Sequence, residues 1–232
     1  MPDKNIVLLF IKAPVRGQVK SRLAAAVGDE TAAELYRNFT LDILDRVERG
    51  GHPLRICVYP PEAVENVSSW LGKERVCLPQ TGNDLGERME HALRRAFSEG
   101  WSRAVLIGSD LPDLPSAIIS EAFDALVTSD AVIGPATDGG YYLIGFNSRL
   151  FPPRLFHDIE WSTDGVFRET MNILREASLR VHVMPQWHDV DTIDDLKALF
   201  ERGRTAGCDE SRTMVYLRLH KDRLFQTGSA WT

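Results

Sequence analysis

The apolar positions of this chain change period repeatedly, from short continuous runs to repeats of about four residues. The run from residue 6 to residue 11 contains only β-branched and large apolar side chains, and Pro14 and Gly17 end it. Such a run is typical of a buried strand followed by a loop. Residues 30–48 instead repeat large apolar side chains every four positions, which predicts a helix with one apolar face and Asp29 as its N-cap.

Runs of the same two kinds continue to about residue 201. The further predicted strands are 54–59, 75–78, 104–107, 131–133, 141–146 and 180–184, and the one at 141–146 is expected to pair antiparallel. The further predicted helices are 21–27, 61–71, one that follows the loop at 80–89 and ends near residue 100, 116–127, 163–177 and 192–201. Strands that alternate with helices predict an α/β sandwich with a mainly parallel sheet.

The composition changes beyond residue 202, where glycines and scattered charges replace the periodic pattern. We therefore expect one domain over residues 1–202 and a C-terminal extension of uncertain structure over residues 203–232. Part of the extension alternates apolar and polar residues, which is compatible with a late edge strand. The alternating apolar residues are Val215, Leu217 and Leu219.

Length and composition narrow the class of protein. The chain has 232 residues, of which 44% are hydrophobic and 26% charged, as is usual for soluble globular proteins. A net charge of −6 and an isoelectric point near 5.6 argue against a nucleic-acid partner. No apolar run approaches the roughly 20 residues that span a bilayer, so no membrane partner is expected. The absence of a signal-peptide pattern and the scattered Cys57, Cys77 and Cys208 favour a cytoplasmic protein with buried thiols at Cys57 and Cys77.

Four cations are concentrated in the loop that follows the first strand, namely Lys12, Arg16, Lys20 and Arg22. A basic loop in an acidic protein is either a solvated turn or a binding site for an anion such as a polyphosphate. We favour the anion site, because open α/β sheets bind ligands beyond the carboxyl ends of their strands. The loop lacks the glycines of a P-loop, and no G-x-G-x-x-G follows the first strand, so neither common phosphate motif explains it.

Aspartates follow several of the predicted strands. Asp110 follows the strand at 104–107, Asp138 lies in a glycine-flanked turn after the next strand, and Asp189 and Asp191 follow the strand at 180–184. Carboxylates at the carboxyl ends of parallel strands share one edge of the sheet, where they can hold Mg²⁺ or Mn²⁺ together with phosphate oxygens. A turn or helix-cap role is the alternative for each aspartate, and it is strongest for Asp191, which precedes a predicted helix.

The loop at residues 80–88 adds a helix N-terminus to the candidate site. Its Gly82 and Gly86 would allow a ligand to approach the backbone closely. Arg88 in the first helical turn opposes the helix dipole, which suggests an anionic partner, with an ordinary surface arginine as the alternative.

Aromatic residues and one histidine give weaker signals. Tyr141, Tyr142 and Trp161 belong either to an acceptor pocket or to the core. His188, next to Asp189, is either a base or a structural residue, and no Ser-His-Asp arrangement is recognisable.

Five segments occur in an order that resembles a known family. They are Lys-Ala-Pro…Gly…Lys-Ser-Arg-Leu at 12–23, Asp-Leu-Gly-Glu-Arg-Met at 84–89, Gly-Ser-Asp-Leu-Pro at 108–112, Gly-Pro-Ala-Thr-Asp-Gly-Gly-Tyr-Tyr at 134–142 and Asp-Val-Asp-Thr at 189–192. From residue 5 to about 202 the chain resembles the radical-SAM/selenodomain-associated transferase 1 family, whose function is unknown and which belongs to the nucleotide-diphospho-sugar transferase superfamily. The resemblance implies the glycosyltransferase-A fold, a Rossmann-like three-layer α/β/α sandwich that binds a nucleotide and a divalent metal.

More distant similarities point to particular reactions. Phospholactate guanylyltransferases and, further away, molybdenum-cofactor guanylyltransferases have a similar Lys-Ser-Arg-Leu segment and a terminal Asp-Val-Asp-Thr. The Asp-x-Asp motif of many glycosyltransferases is not found after the fourth strand, where Ser109-Asp110 stands instead.

The residues and the resemblance together give each candidate an expected role. Catalytic roles are expected for Lys20 and Asp110, and metal binding for Asp110, Asp189 and Asp191. The expected nucleotide-binding residues are Lys12, Arg16, Gly17, Lys20, Arg22, Asp84, Leu85, Gly86 and Arg88. The expected residues for the second substrate are Asp138, Gly139, Gly140, Tyr141 and Trp161.

These roles lead to three functional hypotheses for a nucleotide-using protein. In nucleotidyl transfer, a small phosphorylated or hydroxyl acceptor attacks a nucleoside triphosphate, and the cations and a metal offset the charge. In glycosyl transfer, the metal helps a nucleoside diphosphate to leave a nucleotide sugar. A regulator that binds nucleotide without catalysis is the third hypothesis. The four-cation loop favours nucleotidyl transfer, whereas the name of the superfamily favours glycosyl transfer.

Overall fold

The first strand, β1 (Asn5–Lys12), forms the centre of the fold because both of its faces are apolar. Val7, Leu9 and Ile11 point to one side of the sheet, and Ile6, Leu8 and Phe10 point to the other. All six are buried, as expected for a parallel strand covered by helices on both faces. The computed structural model describes residues 4–152, 155–161, 163–205 and 210–225.

Seven strands form one sheet in the order β3-β2-β1-β4-β6-β5-β7. After β1 they are β2 (Leu54–Tyr59), β3 (Cys77–Pro79), β4 (Arg103–Ile107), β5 (Ala131–Pro135), β6 (Tyr141–Asn147) and β7 (Val181–Val183). All neighbours are parallel except that β6 runs antiparallel to both β4 and β5. The predicted mainly parallel sheet and its antiparallel strand at 141–146 are therefore confirmed.

Helices cover both faces of the sheet. They are α1 (Ser21–Val27), α2 (Asp29–Arg49), α3 (Val64–Leu71), α4 (Leu85–Ser98), α5 (Ser116–Thr128), α6 (Val166–Glu176), α7 (Ile193–Thr205) and α8 (Arg212–Phe225). Buried residues of α2, α3 and α5 pack on one face of the sheet, and those of α4 and α6 pack on the other. The three-layer α/β/α sandwich expected from the sequence is confirmed.

The segment expected to be compatible with an edge strand is instead the helix α8. Leu217 is fully buried, whereas Leu219 is 75% exposed, so the alternating residues do not share a buried face. Helix α8 packs on α2 and α7 through a third apolar cluster that includes Met214, Leu217 and Leu224. The Asp42 carboxylate of α2 accepts hydrogen bonds from the first two backbone N–H groups of α8, which caps that helix. The expected domain boundary near residue 202 lies inside α7.

Several predicted helix starts differ from those in the structure, including that of α3, which begins at Val64 after a 3₁₀ turn at Pro61–Ala63. Helix α2 begins at Asp29 itself, and Gly28, with φ of 83°, takes the N-cap position. The Asp29 carboxylate is then in the first turn, where it is favourable to the helix dipole. Helix α6 begins at Val166 rather than at residue 163, because residues 163–165 form a turn.

Two expectations from composition can be compared with the described residues. Cys57 is buried, Cys77 is half-buried, and both thiols are free, whereas Cys208 lies outside the described residues. None of the described helices has the length and apolar character needed to cross a lipid bilayer.

The order of the strands places a crevice beside β1. From β1 the chain moves to β2 and β3 on one side, and it later returns to β4 on the other side. At such a switch point the loops after neighbouring strands diverge, and they leave a crevice at the carboxyl ends of the strands. The basic loop and Asp110 follow the two strands that border this crevice.

Candidate active site at the carboxyl ends of the strands

A cleft of about 780 Å³ lies at the carboxyl ends of β1 and β4. It brings together most of the residues that the sequence singled out. The predicted site residues that line it are Lys12, Lys20, Arg22, Leu85, Arg88, Asp110, Asp138, Gly140, Tyr141, Trp161, Asp189 and Asp191. The volume is large enough for a nucleotide-sized ligand.

Lys20 is the central cation of the cleft. Its side chain is only 4% exposed, and its ammonium group lies 3.0 Å from Asp110 Oδ1 and 2.7 Å from Asp191 Oδ1. Its backbone is left-handed, with φ of 51°, immediately before α1. A left-handed conformation is costly for a residue with a Cβ, and such strain is often found at functional sites. The turn directs Lys20 inward, between two carboxylates that follow different strands.

The charges around Lys20 stabilise one another. Burial alone would lower the pKa of Lys20, but the charges and hydrogen bonds of Asp110 and Asp191 outweigh burial and raise it. Burial would likewise raise the pKa of Asp191, but Lys20 and then Arg22 outweigh burial and lower it. The Arg22 guanidinium donates a hydrogen bond to the second oxygen of Asp191. The lysine and Asp191 are therefore both charged at neutral pH.

Asp191 does not cap the helix that follows it. The hydroxyl of Thr192 accepts a hydrogen bond from the backbone N–H of Asp195 at 3.2 Å. In return, the Asp195 carboxylate accepts from the N–H groups of Asp191 and Thr192, at 3.1 and 2.8 Å. This reciprocal pair is a capping box. It leaves the Asp191 side chain available to the cleft.

Three carboxylates form a compact group at one side of the cleft. One oxygen each of Asp138, Asp189 and Asp191 lies within 4.8 Å of the other two. Burial, and then the charges of Asp138 and Asp191, raise the pKa of Asp189 to about 6. A divalent cation would relieve this repulsion, and oxygen ligands suit Mg²⁺ or Mn²⁺, so these residues fit such an ion.

Asp110, which the sequence predicts as a metal ligand, is not one of these three carboxylates. Its carboxylate faces Lys20, while its backbone carbonyl accepts a hydrogen bond from Val190 N–H at 3.1 Å. That backbone contact holds the segment with Asp189 and Asp191 against the loop after β4. The compact acidic group contains Asp138, which the sequence analysis placed with the second substrate.

Tyr36 is a site residue that the sequence analysis missed. Its hydroxyl accepts a hydrogen bond from Lys12 N–H at 2.9 Å and shares another with the Ser109 hydroxyl at 2.8 Å. It therefore joins α2 to the ends of both β1 and β4. Burial, and then the charge of Asp110, raise the pKa of Tyr36 to about 12. The only signal in the sequence is a hydroxyl-bearing residue beside the apolar stripe of α2.

Removing the Tyr36 hydroxyl should destabilise the site. In Tyr36→Phe the part-buried Lys12 N–H and the buried Ser109 hydroxyl lose a partner, so we expect a loss of about 1–3 kcal/mol in the free energy of unfolding. Urea denaturation measures this loss. Tyr216→Phe on α8 is the control, because the contact that its hydroxyl makes among the described residues is a long one, 3.4 Å from Arg223. Equal effects of the two substitutions would contradict the assigned role of Tyr36.

Arg88 reaches the cleft from α4 and stacks on an aromatic ring. Its guanidinium lies 4.2 Å from the ring centroid of Tyr59, which also lines the cleft. Among the described residues, no hydrogen-bond partner is found for its buried Nε. A stacked arginine is a common element of sites for planar or anionic groups.

Trp161 lines the cleft and packs against the first turn of α4. A Cβ on Gly86 would lie 2.7 Å from Cζ2 of Trp161 and 2.7 Å from the carbonyl oxygen of Phe156. Glycine is therefore required at position 86 by packing against Trp161, and no ligand is needed to explain it. Three neighbouring residues also line the cleft. Tyr141 follows Gly140, and Thr163 and Asp164 follow Trp161 closely in the sequence.

Several expected site residues do not line the cleft. Asp84 is the N-cap of α4 and accepts a hydrogen bond from Glu87 N–H at 2.8 Å. His188 is exposed. The full set outside the cleft lining is Arg16, Gly17, Gly82, Asp84, Gly86, Gly139 and His188.

The fold and the site define a class of protein, and comparisons with known proteins agree with it. The sandwich is that of the nucleotide-diphospho-sugar transferases and nucleotidyltransferases. The chain belongs to the family described as "Uncharacterized protein conserved in bacteria (DUF2064)", which matches residues 43–163. No curated protein matches the sequence significantly.

Solved structures give the same picture. A provisionally named nucleotide-diphospho-sugar transferase from Desulfovibrio desulfuricans G20 is 41% identical, with a TM-score of 0.92 over 96% of this chain and 97% of that chain. A cytidylyltransferase from Leptospira borgpetersenii is 14% identical, with a TM-score of 0.54 over 99% of this chain and 100% of that chain. Molybdopterin-guanine dinucleotide biosynthesis protein A from Archaeoglobus fulgidus is 15% identical, with a TM-score of 0.55 over 87% and 99% of the two chains. The last two similarities concern the fold alone.

Proposed function

We propose that this protein is a metal-dependent transferase that uses a nucleoside triphosphate and transfers its nucleotidyl group to a small acceptor. The observation that carries the proposal is a single cleft that contains several cations and three close carboxylates. Phosphoryl and nucleotidyl transfer need both kinds of group, because charge moves onto the phosphate oxygens during the reaction. Membership of the radical-SAM/selenodomain-associated branch and a cytoplasmic location are part of the same proposal.

The proposed reaction joins an acceptor oxygen to the α-phosphorus of the triphosphate. The bond from the α-phosphorus to the bridging oxygen breaks, pyrophosphate leaves with that electron pair, and the acceptor proton passes to solvent. In the proposed reaction Lys12, Arg22 and Arg88 contact phosphate oxygens, which is supported by their position in the cleft lining. Lys20 holds the two carboxylates on either side of it.

A divalent cation is part of the proposed enzyme. Asp138, Asp189 and Asp191 would hold it, and when bound it would supply positive charge next to the transferred phosphate. Asp110, for which catalysis and metal binding are expected, lies next to this group, because Lys20 contacts both Asp110 and Asp191.

Glycosyl transfer from a nucleotide sugar is the second candidate. The name given to the 41% identical structure favours it. Incubation with each nucleoside triphosphate and each common nucleotide sugar, with Mg²⁺ or Mn²⁺, separates the two candidates. Pyrophosphate release supports nucleotidyl transfer, and release of a nucleoside diphosphate supports glycosyl transfer. A protein that binds nucleotide and releases neither product is the regulator of the third hypothesis.

Binding affinities should also separate the candidates. A triphosphate carries more charge than a nucleotide sugar, and one extra contact from a charged donor contributes about 1.5–3 kcal/mol. We therefore expect one triphosphate to bind at least about ten-fold more tightly than its matching nucleotide sugar when Mg²⁺ is present. Calorimetric titration measures both affinities. A nucleotide sugar that binds more tightly than every triphosphate would make glycosyl transfer the leading candidate.

The same titration has a matched pair of variants at the two ends of β1. Lys12 lies at the carboxyl end and lines the cleft, whereas Lys4 precedes the strand at its other end and is exposed. Lys12→Ala should weaken triphosphate binding, with a smaller loss at high salt because screening reduces the lost interaction. Lys4→Ala should leave the affinity unchanged.

A further inference from the structure

The two stretches of the chain that line the cleft differ in charge, and we call their lining residues the two halves of the cleft. Of the charged lining residues between positions 10 and 111, four are basic and only Asp110 is acidic. The basic residues are Lys12, Lys20, Arg22 and Arg88. Among the described lining residues between positions 136 and 191, no lysine, arginine or histidine is present, and four aspartates are. These are Asp138, Asp164, Asp189 and Asp191.

A bound metal would not reverse the charge of the second half. Asp191 is already paired with Lys20 and Arg22. A divalent cation would balance Asp138 and Asp189, and the Asp164 carboxylate would then still leave this half negative. Among the described residues that line this half, a phosphate group on the acceptor would therefore meet Asp164 and no basic side chain, and Arg168 is not one of the lining residues.

The uncharged groups of the second half suit a different kind of molecule. Trp161 offers a ring that is held by Phe156 and Gly86, and Tyr141 lines the cleft beside Gly140. The Thr163 hydroxyl and the Asp164 carboxylate add hydrogen-bonding groups. An aromatic surface with a few polar groups is suited to a compact molecule that has both C–H faces and hydroxyl groups.

From this distribution we infer that the acceptor is a non-phosphorylated polyhydroxyl compound, bound by Trp161, Thr163 and Asp164. The inference rests on the proposed function, which assigns the basic half of the cleft to the nucleoside triphosphate donor. It narrows that function, because the attacking atom is then a hydroxyl oxygen rather than a phosphate oxygen. The hydroxyl proton is released to solvent as the new bond to the donor forms.

Matched pairs of small probes test the inference without any transfer step. Ligand-observed NMR would compare glycerol with glycerol 3-phosphate, and glucose with glucose 6-phosphate, in the presence of Mg²⁺. Inorganic tripolyphosphate at saturation would occupy the basic half, and calorimetry would measure its binding separately. We expect at least one polyol to bind at least about ten-fold more tightly than its phosphate.

Charge-reversal variants locate the effect. Asp164→Lys should remove the preference for the unphosphorylated member of each pair. Glu160→Lys makes the same change of charge at an exposed residue outside the cleft lining, so it should keep the preference. The inference is overturned if the phosphorylated probes bind more tightly to the unmodified protein, or if Asp164→Lys and Glu160→Lys behave alike. Failure of tripolyphosphate to bind would instead contradict the proposed donor half.

Discussion

Replacing Lys20 with methionine is expected to lower the free energy of unfolding by about 3 kcal/mol. The Lys20 side chain is buried between Asp110 and Asp191, at 3.0 and 2.7 Å. Methionine keeps most of the volume and removes the charge, so two carboxylates face each other without their shared cation. For a chain of this length, the loss corresponds to a melting temperature lower by about 6–12 °C.

The size of the effect follows from the exposure of the two acids. Removing one partner of a fully buried ion pair costs about 3–5 kcal/mol. The Asp110 side chain is 42% exposed and the Asp191 side chain 24% exposed, so water can partly replace the ammonium group. The cost should therefore lie at the lower end of that range. The left-handed backbone at position 20 is equally unfavourable for methionine, so the substitution isolates the charge.

Two further variants provide the controls. Lys197→Met removes an ammonium group from an exposed pair with Asp194, and it should change stability by less than about 1 kcal/mol. Adding Asp191→Asn to Lys20→Met should recover part of the loss, because it removes the repulsion between the carboxylates of Asp110 and Asp191. Thermal unfolding followed by circular dichroism measures all three proteins. A Lys20→Met protein as stable as Lys197→Met would show that Lys20 is not the counter-ion of these acids.

The fold was predictable because its strongest patterns are local. The run at 6–11 is apolar on every residue, and only a strand buried on both faces tolerates that. The repeat at 30–48 matches α2 because its apolar stripe is buried, with Ile43 and Val47 against the sheet and Leu35 and Phe39 in the third apolar cluster. The tail was harder, because alternating apolar residues at 215–219 also fit a helix that buries Leu217 and exposes Leu219. Only the packing of this segment against α2 distinguishes a helix from an edge strand.

The site was predictable as a region rather than as a set of contacts. Lys20 and the aspartates come after predicted strands in the sequence, and this locates them at the same edge of the sheet. Which carboxylate Lys20 faces depends on one left-handed turn and on the hydrogen bond from Val190 N–H to the carbonyl of Asp110. Neither has a sequence signal. For the same reason the sequence placed Asp138 among the strand-end aspartates that can hold a metal, but it could not show that Asp138 rather than Asp110 joins the compact acidic group.

Replacing Asp189 with asparagine is expected to lower the affinity for Mn²⁺ by about 10–100-fold or more. Asp189 belongs both to the metal ligands expected from the sequence and to the three carboxylates that lie within 4.8 Å of one another. Asparagine keeps the shape of the side chain but removes one charge from the group. The affinity is measured directly from the electron paramagnetic resonance signal of free Mn²⁺.

The stability of the same variant distinguishes a metal ligand from a structural residue. Burial and the charges of Asp138 and Asp191 raise the pKa of Asp189, which means that its ionised form is disfavoured in the folded protein without a cation. Asp189→Asn should therefore melt at the same temperature as the unmodified protein or higher when metal is removed by a chelator. With Mg²⁺ or Mn²⁺ added, the unmodified protein should gain more stability than the variant, because only its full acidic group binds the cation tightly.

Asp194→Asn is the matched control, because Asp194 is 84% exposed on α7 and pairs only with Lys197 among the described residues. It should retain both the Mn²⁺ affinity and the gain in melting temperature. Three carboxylates that repel one another without a cation are expected to show this combination of lost affinity and retained stability. If Asp189→Asn bound Mn²⁺ as tightly as Asp194→Asn, the acidic group would not be a metal site, and the proposed metal-dependent transfer would lose its main support.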